Sequence, residues 1–195
     1  MADTPVSLLE RLRANPDPRS WQRLVDLYTP LIRDWLRRHA LQASDSDDLV
    51  QDVLGVLVQE LPNFRHDLRR GAFRRWLRNI TANRLRTHWR KRGRRPVATG
   101  DSDFEGVLNQ LEDPESRLSA EWDREHDRHV ARRLLELLAG DFEPTTWAAF
   151  RMLVLEGIDT AEVAAQLKIT PNAVRIAKSR VLSRFRKEAE GLIDE

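Results

Sequence analysis

Side chains able to do acid–base or metal chemistry are scattered along this sequence. Cysteine is absent, which excludes disulfides, cysteine-ligated zinc and thiol nucleophiles. His126 and His129 share a helical face, but no carboxylate or histidine near them has the spacing of an established metal motif. Asp45, Asp47 and Asp48 do not continue into a calcium-loop pattern. We therefore expect a non-enzymatic protein with no cofactor or metal, and we interpret both histidines as solvated helix residues.

A basic stretch, FRRWLRNITANRLRTHWRKRGRR, runs from Phe73 to Arg95 without a single acidic residue. Its apolar members recur at i, i+3, i+4 and i+7, which predicts the buried face of a helix and places Arg74, Arg75 and Arg78 outward. Asn79, Thr81 and Asn83 are small polar side chains bracketed by arginines. Amides can pair with base edges while cations hold the phosphate backbone, so this segment predicts contact with an unstacked base.

Charge is segregated into blocks, although the formal net charge is only +2. Residues 65–95 are basic, residues 101–127 are mostly acidic, and residues 168–187 are basic again. Two basic blocks are the electrostatic footprint of a nucleic-acid-binding protein. Upstream of the first basic block, the acidic stretch ASDSDDLVQDVLGVLVQEL predicts a helix that repels phosphate and should face a protein partner or solvent.

Apolar spacing predicts an all-α protein, because helical periodicity recurs almost everywhere and strand patterns are nearly absent. Helix-breaking residues at Gly93, Pro96 and Gly100 interrupt that period. We therefore predict two small helical domains, residues 1–93 and 115–195, joined by a flexible acidic linker at residues 94–114. No apolar run is long enough to span a membrane and no signal peptide is recognisable, so we expect a cytoplasmic protein.

The segment DTAEVAAQLKITPNAVRIAKSRVLSRFRK has the pattern of a helix-turn-helix. Asp159 or Thr160 can cap its first helix, and Thr170 before Pro171 predicts the start of the second. Val174, Ala177, Val181 and Phe185 share one face of the second helix and should pack inward. The opposite, outward face offers candidates for reading base edges in the major groove. They are Asn172, Arg175, Ile176 and Ser179, with Arg180 beside them.

Upstream of the basic stretch, DLVQDVLGVL at Asp48 to Leu57 resembles the polymerase-binding motif of region 2 in the sigma-70 family. FRRWLRNITAN resembles the promoter-melting segment that follows, and the helix-turn-helix resembles region 4. With no room for further domains between them, the chain is similar to the extracytoplasmic-function (ECF) sigma factors. Leu54 stands where many relatives have phenylalanine, which leaves the local packing open.

The resemblance implies a transcription initiation factor whose partners are core RNA polymerase and promoter DNA, and it allows an anti-sigma factor as a further partner. Three sets of residues would carry these contacts. Polymerase binding would use Asp48, Leu49, Gln51 and Asp52. Recognition of the melted −10 element would use Arg78, Asn79, Thr81, Asn83 and Arg84. Reading of the −35 element would use Asn172, Arg175, Ile176, Ser179 and Arg180.

Three other classes of protein are compatible with parts of this pattern. A stand-alone helix-turn-helix regulator would bind duplex DNA without polymerase. A nucleic-acid-processing enzyme would use the basic blocks but needs a catalytic arrangement that the scattered histidines do not provide. A protein-only adaptor accounts for the acidic helix and leaves both basic blocks without a role.

Overall fold

The computed structural model describes residues 7–14, 17–39, 43–64, 71–92 and 103–193. These residues form helices and turns without a β-strand, which confirms the all-α class. No helix among them is both long and apolar enough to cross a lipid bilayer. The α-helices are α1 (Leu8–Ala14), α2 (Pro18–His39), α3 (Ala43–Glu60), α4 (Ala72–Arg92), α5 (Asp103–Glu112), α6 (Arg117–Leu138), α7 (Pro144–Phe150), α8 (Thr160–Leu167) and α9 (Pro171–Ala189).

Side-chain caps explain where the first helices begin. Ser7 accepts a hydrogen bond from the backbone N–H of Glu10, and the Glu10 carboxylate accepts one from the N–H of Ser7. This reciprocal pair satisfies two N–H groups that have no partner inside the helix. Asp17 caps α2 by accepting from the backbone N–H of Ser20 at 2.9 Å, and Pro18 occupies the first helical position.

The larger hydrophobic core lies among α2, α3 and α4 and continues into α5 and α6. Phe73 of α4 is fully buried, as predicted, and its ring packs 5.5 Å from that of Tyr28 on α2. Trp76, also expected in the core, is half-buried and stacks on Phe64 with ring centroids 4.5 Å apart. The aromatic residues of the basic stretch are therefore structural.

Helices α5 and α6 pack against this core. The predicted linker at residues 94–114 contains α5, whose Leu108 and Leu111 are buried, while residues 93–102 lie outside the described part of the chain. Further along, Trp122 of α6 meets Trp35 of α2 edge to face, with ring centroids 5.0 Å apart. The acidic part of the chain thus covers the helices that carry the first basic block.

The helix-turn-helix has a small core of its own. Met152, Val163, Ala164, Val174 and Ala177 form a buried cluster separate from the larger one. The small side chains let α8 and α9 approach closely. A π-helical segment, Arg151–Leu155, connects α7 to the turn before α8.

The last helix is held to the first two by a cluster of ion pairs. The fully buried carboxylate of Glu188 lies 2.8 Å from the guanidinium of Arg11 and 2.7 Å from that of Arg184. Arg23 contacts both oxygens of Asp141 at 3.0 Å and lies 3.7 Å from Glu188. This Glu188 ion-pair cluster joins α1, α2 and α9. No local sequence pattern could have predicted the contact.

Candidate nucleic-acid and partner surfaces

The first candidate surface is on α3. Asp48, Gln51 and Asp52 are exposed and share one face at i, i+3 and i+4, whereas Leu49 is fully buried. The exposed face therefore offers carboxylates and an amide to a partner, and Leu49 supports it from the core. A surface of this charge favours a basic protein over DNA.

The second candidate surface is a row along α4. Arg75, Asn79 and Asn83 are exposed at i, i+4 and i+8, so they lie above one another on the same side of the helix. Asn83 Oδ1 accepts a hydrogen bond from Arg86 at 3.2 Å, which orients the amide. Two amides between guanidinium groups can pair with a base edge while phosphate is held nearby.

Three predicted residues of this surface are placed differently. Arg78 was expected outward but is only 2% exposed, and Thr81 is buried with its hydroxyl donating to the Leu77 carbonyl at 2.9 Å. Arg84 is half-buried. The structure thus groups Asn79 and Asn83 on one row and does not bring Arg78 and Thr81 onto it.

The outward placement of Arg78 is wrong because α6 covers its side of α4. Its Nη1 lies 2.9 Å from Asp123 Oδ1 and donates to the Ser119 carbonyl at 3.4 Å. Burial lowers the pKa of Arg78, and the Asp123 charge opposes that shift. Spacing within the basic stretch could not reveal this, since the covering residues follow about forty positions later in the chain.

Carboxylates of α6 were missing from the predicted functional residues. Arg74 Nε lies 3.2 Å from Asp123 Oδ2, and Asp127 accepts a second hydrogen bond from the same guanidinium. Burial alone would raise the pKa of Asp127, but hydrogen bonds from His126 and Arg74 lower it overall. The signal was present as the acidic block that follows the basic one.

The interpretation of His126 and His129 as solvated was wrong, since α6 packs its histidine face on α2. His126 is fully buried, with Nδ1 2.9 Å from Asp127 Oδ1 and Nε2 3.3 Å from the Tyr28 hydroxyl. A carboxylate only accepts, so Nδ1 donates to Asp127 and Nε2 accepts from Tyr28. His129 Nε2 donates to the Leu27 carbonyl at 2.9 Å.

No metal-binding group of three His, Cys, Asp or Glu residues occurs in the described part of the chain.

The third candidate surface is on α9, and its helix start is as predicted. Thr170 Oγ1 accepts from the backbone N–H of Ala173 at 3.1 Å, and Asp159 caps α8 through the N–H of Ala161 at 2.7 Å. Between the helices Lys168 adopts a left-handed backbone conformation with φ of 54°. This residue turns the chain through the corner that sets α9 against α8.

The two faces of α9 also agree with prediction. Val174, Ala177 and Val181 are buried, and the opposite side of the helix is exposed to solvent. Its exposed residues are Asn172, Arg175, Ile176, Ser179 and Arg180. An arginine, an amide and a hydroxyl suit the donor and acceptor pattern of the major groove, and the apolar Ile176 suits a thymine methyl group.

Two comparisons show which known proteins this chain is similar to. The sigma-70 region 2 family model matches residues 24–95, which hold α3 and α4. The chain is also 25% identical over 156 residues to the ECF RNA polymerase sigma factor SigE of Mycolicibacterium smegmatis. That match covers 80% of this chain and 56% of the relative's length.

Proposed function

We propose that the chain, which is similar to an ECF sigma factor and matches the sigma-70 region 2 family model, binds core RNA polymerase and directs promoter-specific transcription initiation. It would recognise a −10 element through α4 and a −35 element through α9. The protein itself would carry out no catalytic reaction. An anti-sigma factor is a further partner in this proposal.

One observation supports the proposal: a single chain combines two different exposed polar helix faces, one on α4 and one on α9. The row on α4 presents amides suited to an unstacked base, and α9 presents a helix-turn-helix reading face suited to duplex DNA. A regulator that binds only duplex DNA needs the second surface and not the first. Promoter opening needs both, because one element is read as intact duplex and the other as it melts.

Strand opening requires no chemical energy from this protein. Unstacking a base costs a few kcal/mol, and binding the flipped base offsets that cost only where the sequence fits. Promoter choice and melting would then be one event on α4. The exposed carboxylates of α3 would meanwhile hold the chain on the polymerase.

In vitro transcription with purified polymerase core and a genomic DNA library tests this function and reveals the promoter. We expect discrete new transcripts that depend on the added protein and share two upstream sequence elements. Initiation that is the same with and without the protein would overturn the proposal.

A matched pair of α3 variants tests the polymerase contact. Asp52→Asn and Glu60→Gln each remove one exposed carboxylate from the same helix, but only the first lies on the predicted docking face. We expect Asp52→Asn to weaken association with core polymerase in a pull-down titration, while Glu60→Gln binds as the unmodified chain does. Equal affinities would remove Asp52 from the docking face.

A stand-alone helix-turn-helix regulator is the second candidate, favoured by the exposure of the α9 face to solvent. Such a protein would shift promoter DNA in a gel by itself. The proposed sigma factor would produce the specific shift only with polymerase, because each surface alone is small and polymerase makes both contacts simultaneous.

A further inference from the structure

A cavity lined by arginines lies where α1, α2 and α9 meet, apart from the three candidate surfaces. Its volume is about 580 Å³, which is within the range of small-molecule sites. Four guanidinium groups line it together with the carboxylates of Asp17 and Asp141. The arginines are Arg11 of α1, Arg19 and Arg23 of α2, and Arg184 of α9. We call this cavity the arginine pocket.

Positive charge exceeds negative charge around the arginine pocket in the described part of the chain. Asp17, Asp141 and the buried Glu188 supply three negative charges against four positive ones. Asp17 is engaged at the start of α2, where it accepts hydrogen bonds from the hydroxyl and the backbone N–H of Ser20. The other two carboxylates are shared among the four arginines. The excess of positive charge within one concave site attracts an anion.

The shared carboxylates leave hydrogen-bond donors unused on two of the arginines. Asp141 lies 2.9 Å from Nη2 of Arg19 and 3.9 Å from Nη2 of Arg184. Glu188 lies 2.7 Å from the same nitrogen of Arg184. Among the described residues, Nε and Nη1 of Arg19 and Arg184 have no hydrogen-bond or ion-pair partner. These N–H groups are available to the oxygens of a ligand.

The arginines also span a range of depths. Side-chain exposure falls from 80% at Arg19 through 33% at Arg184 to 11% at Arg23. A ligand can therefore reach the site from solvent at Arg19, while its inner end lies among partly desolvated charges. Electrostatic attraction is stronger there than at the open surface, because the local dielectric is lower.

Phosphate chemistry fits this site, because guanidinium groups bind phosphate oxygens through paired hydrogen bonds. Asp141 occupies the point where three arginines converge, so a ligand must reach the N–H groups around it. Linked phosphates can span those groups, whereas a single compact anion reaches fewer of them. We propose that the arginine pocket binds a small molecule that carries two or more linked phosphate groups. The inference does not depend on the proposed function, since no residue assigned to polymerase or DNA lines the pocket.

Titration of the full chain with inorganic phosphates tests the site without polymerase or DNA. Tripolyphosphate and orthophosphate are compared by isothermal titration calorimetry at fixed ionic strength. We expect tripolyphosphate to bind at one site and more tightly than orthophosphate. It should also raise the melting temperature in a concentration-dependent way, because a ligand that binds only the folded chain stabilises it. Equal affinity for the two anions, or no binding of either, would overturn the inference.

A set of matched arginine and lysine variants locates the bound anion. Arg19→Gln removes an exposed cation from the pocket, and Arg13→Gln removes one from α1 outside it. Lys178→Gln removes one from the exposed face of α9. We expect Arg19→Gln to weaken tripolyphosphate binding by roughly tenfold, since a hydrogen bond to a charged group is lost. Arg13→Gln and Lys178→Gln should bind as the unmodified chain does. The same loss in all three variants would show general attraction to a basic protein and would overturn the assignment to the pocket.

Arg184→Lys provides a second test that retains the charge beside Glu188. Lysine keeps a cation at this position but lacks the planar fork. We expect the melting temperature without ligand to stay close to that of the unmodified chain and the affinity for tripolyphosphate to fall. Unchanged affinity in both Arg184→Lys and Arg19→Gln would place the anion elsewhere and overturn the inference.

Discussion

At the scale of single residues, Arg175 is exposed near the amino end of α9, and in the proposed function its guanidinium would reach a base edge. Arg175→Ala should reduce discrimination between the −35 element and its variants by about 1 to 3 kcal/mol. Competition binding with polymerase present measures this. Lys178→Ala is the control: loss of a phosphate contact weakens all sequences equally and lowers the salt slope by about 1. Unchanged discrimination in Arg175→Ala would show that another side chain reads the base.

In the proposed function, Asn83 would act in the melting step. Its exposed amide lies beside Arg86, and the proposal is that it binds a base once the strands separate. We expect Asn83→Ala to reduce permanganate reactivity of promoter thymines more than it reduces the footprint of the initial complex. Asn109→Ala, an exposed amide on α5, serves as control. Equal losses in both assays would assign Asn83 to docking.

Residue-level prediction succeeded where local spacing decides burial and failed where distant helices do. Val174 and Ala177 were placed inward correctly, because the helix-turn-helix builds its core from neighbouring segments. Arg78 and His126 were misplaced since each is buried by a contact made many positions away in the chain. A charged or titratable side chain gives no sign of such a contact in its own segment.

At the scale of elements, the corner between α8 and α9 is strained at Lys168. A left-handed backbone costs a residue with a Cβ about 1 kcal/mol or more, whereas glycine adopts it freely. Lys168→Gly should therefore raise the free energy of unfolding by up to about 1 kcal/mol in urea titrations. Lys168→Ala keeps the strain and loses the charge, so it should not stabilise. Equal stability of the two variants would show that the corner is unstrained.

The sequence predicted correctly that the elements are helices, but it did not predict where all of them lie. The caps at Asp159 and Thr170 placed the helix-turn-helix, because capping chemistry is local. Helix α5 was not predicted, since its composition reads as a linker and its buried leucines acquire a partner only when α4 and α6 surround them. The segment is therefore helical because it packs against α4 and α6.

At the scale of the whole molecule, α6 makes stability depend on pH. Burial lowers the pKa of both His126 and His129 below the ordinary value of 6.5. The unfolded chain then binds protons that the folded chain does not, so stability is complete above about pH 6.5 and falls as the pH decreases below it. The slope is at most about 1.4 kcal/mol per pH unit for each histidine.

Urea titrations between pH 7.5 and 5.5 measure this effect. The range stays above the region where Asp127, whose pKa is lowered from 3.8, begins to be protonated. His126→Gln keeps a polar side chain at the site without a titrating ring, so its stability should vary less with pH. The same slope in His126→Gln would assign the pH dependence to other groups.

The Glu188 ion-pair cluster has a consequence for the order in which the protein folds during its synthesis. Arg11 lies 177 positions before the carboxylate that neutralises it. A growing polypeptide on the ribosome cannot make this contact until α9 has left the exit tunnel. Early helices therefore assemble before that ion pair exists, and the contact between α1 and α9 forms only after α9 has been synthesised.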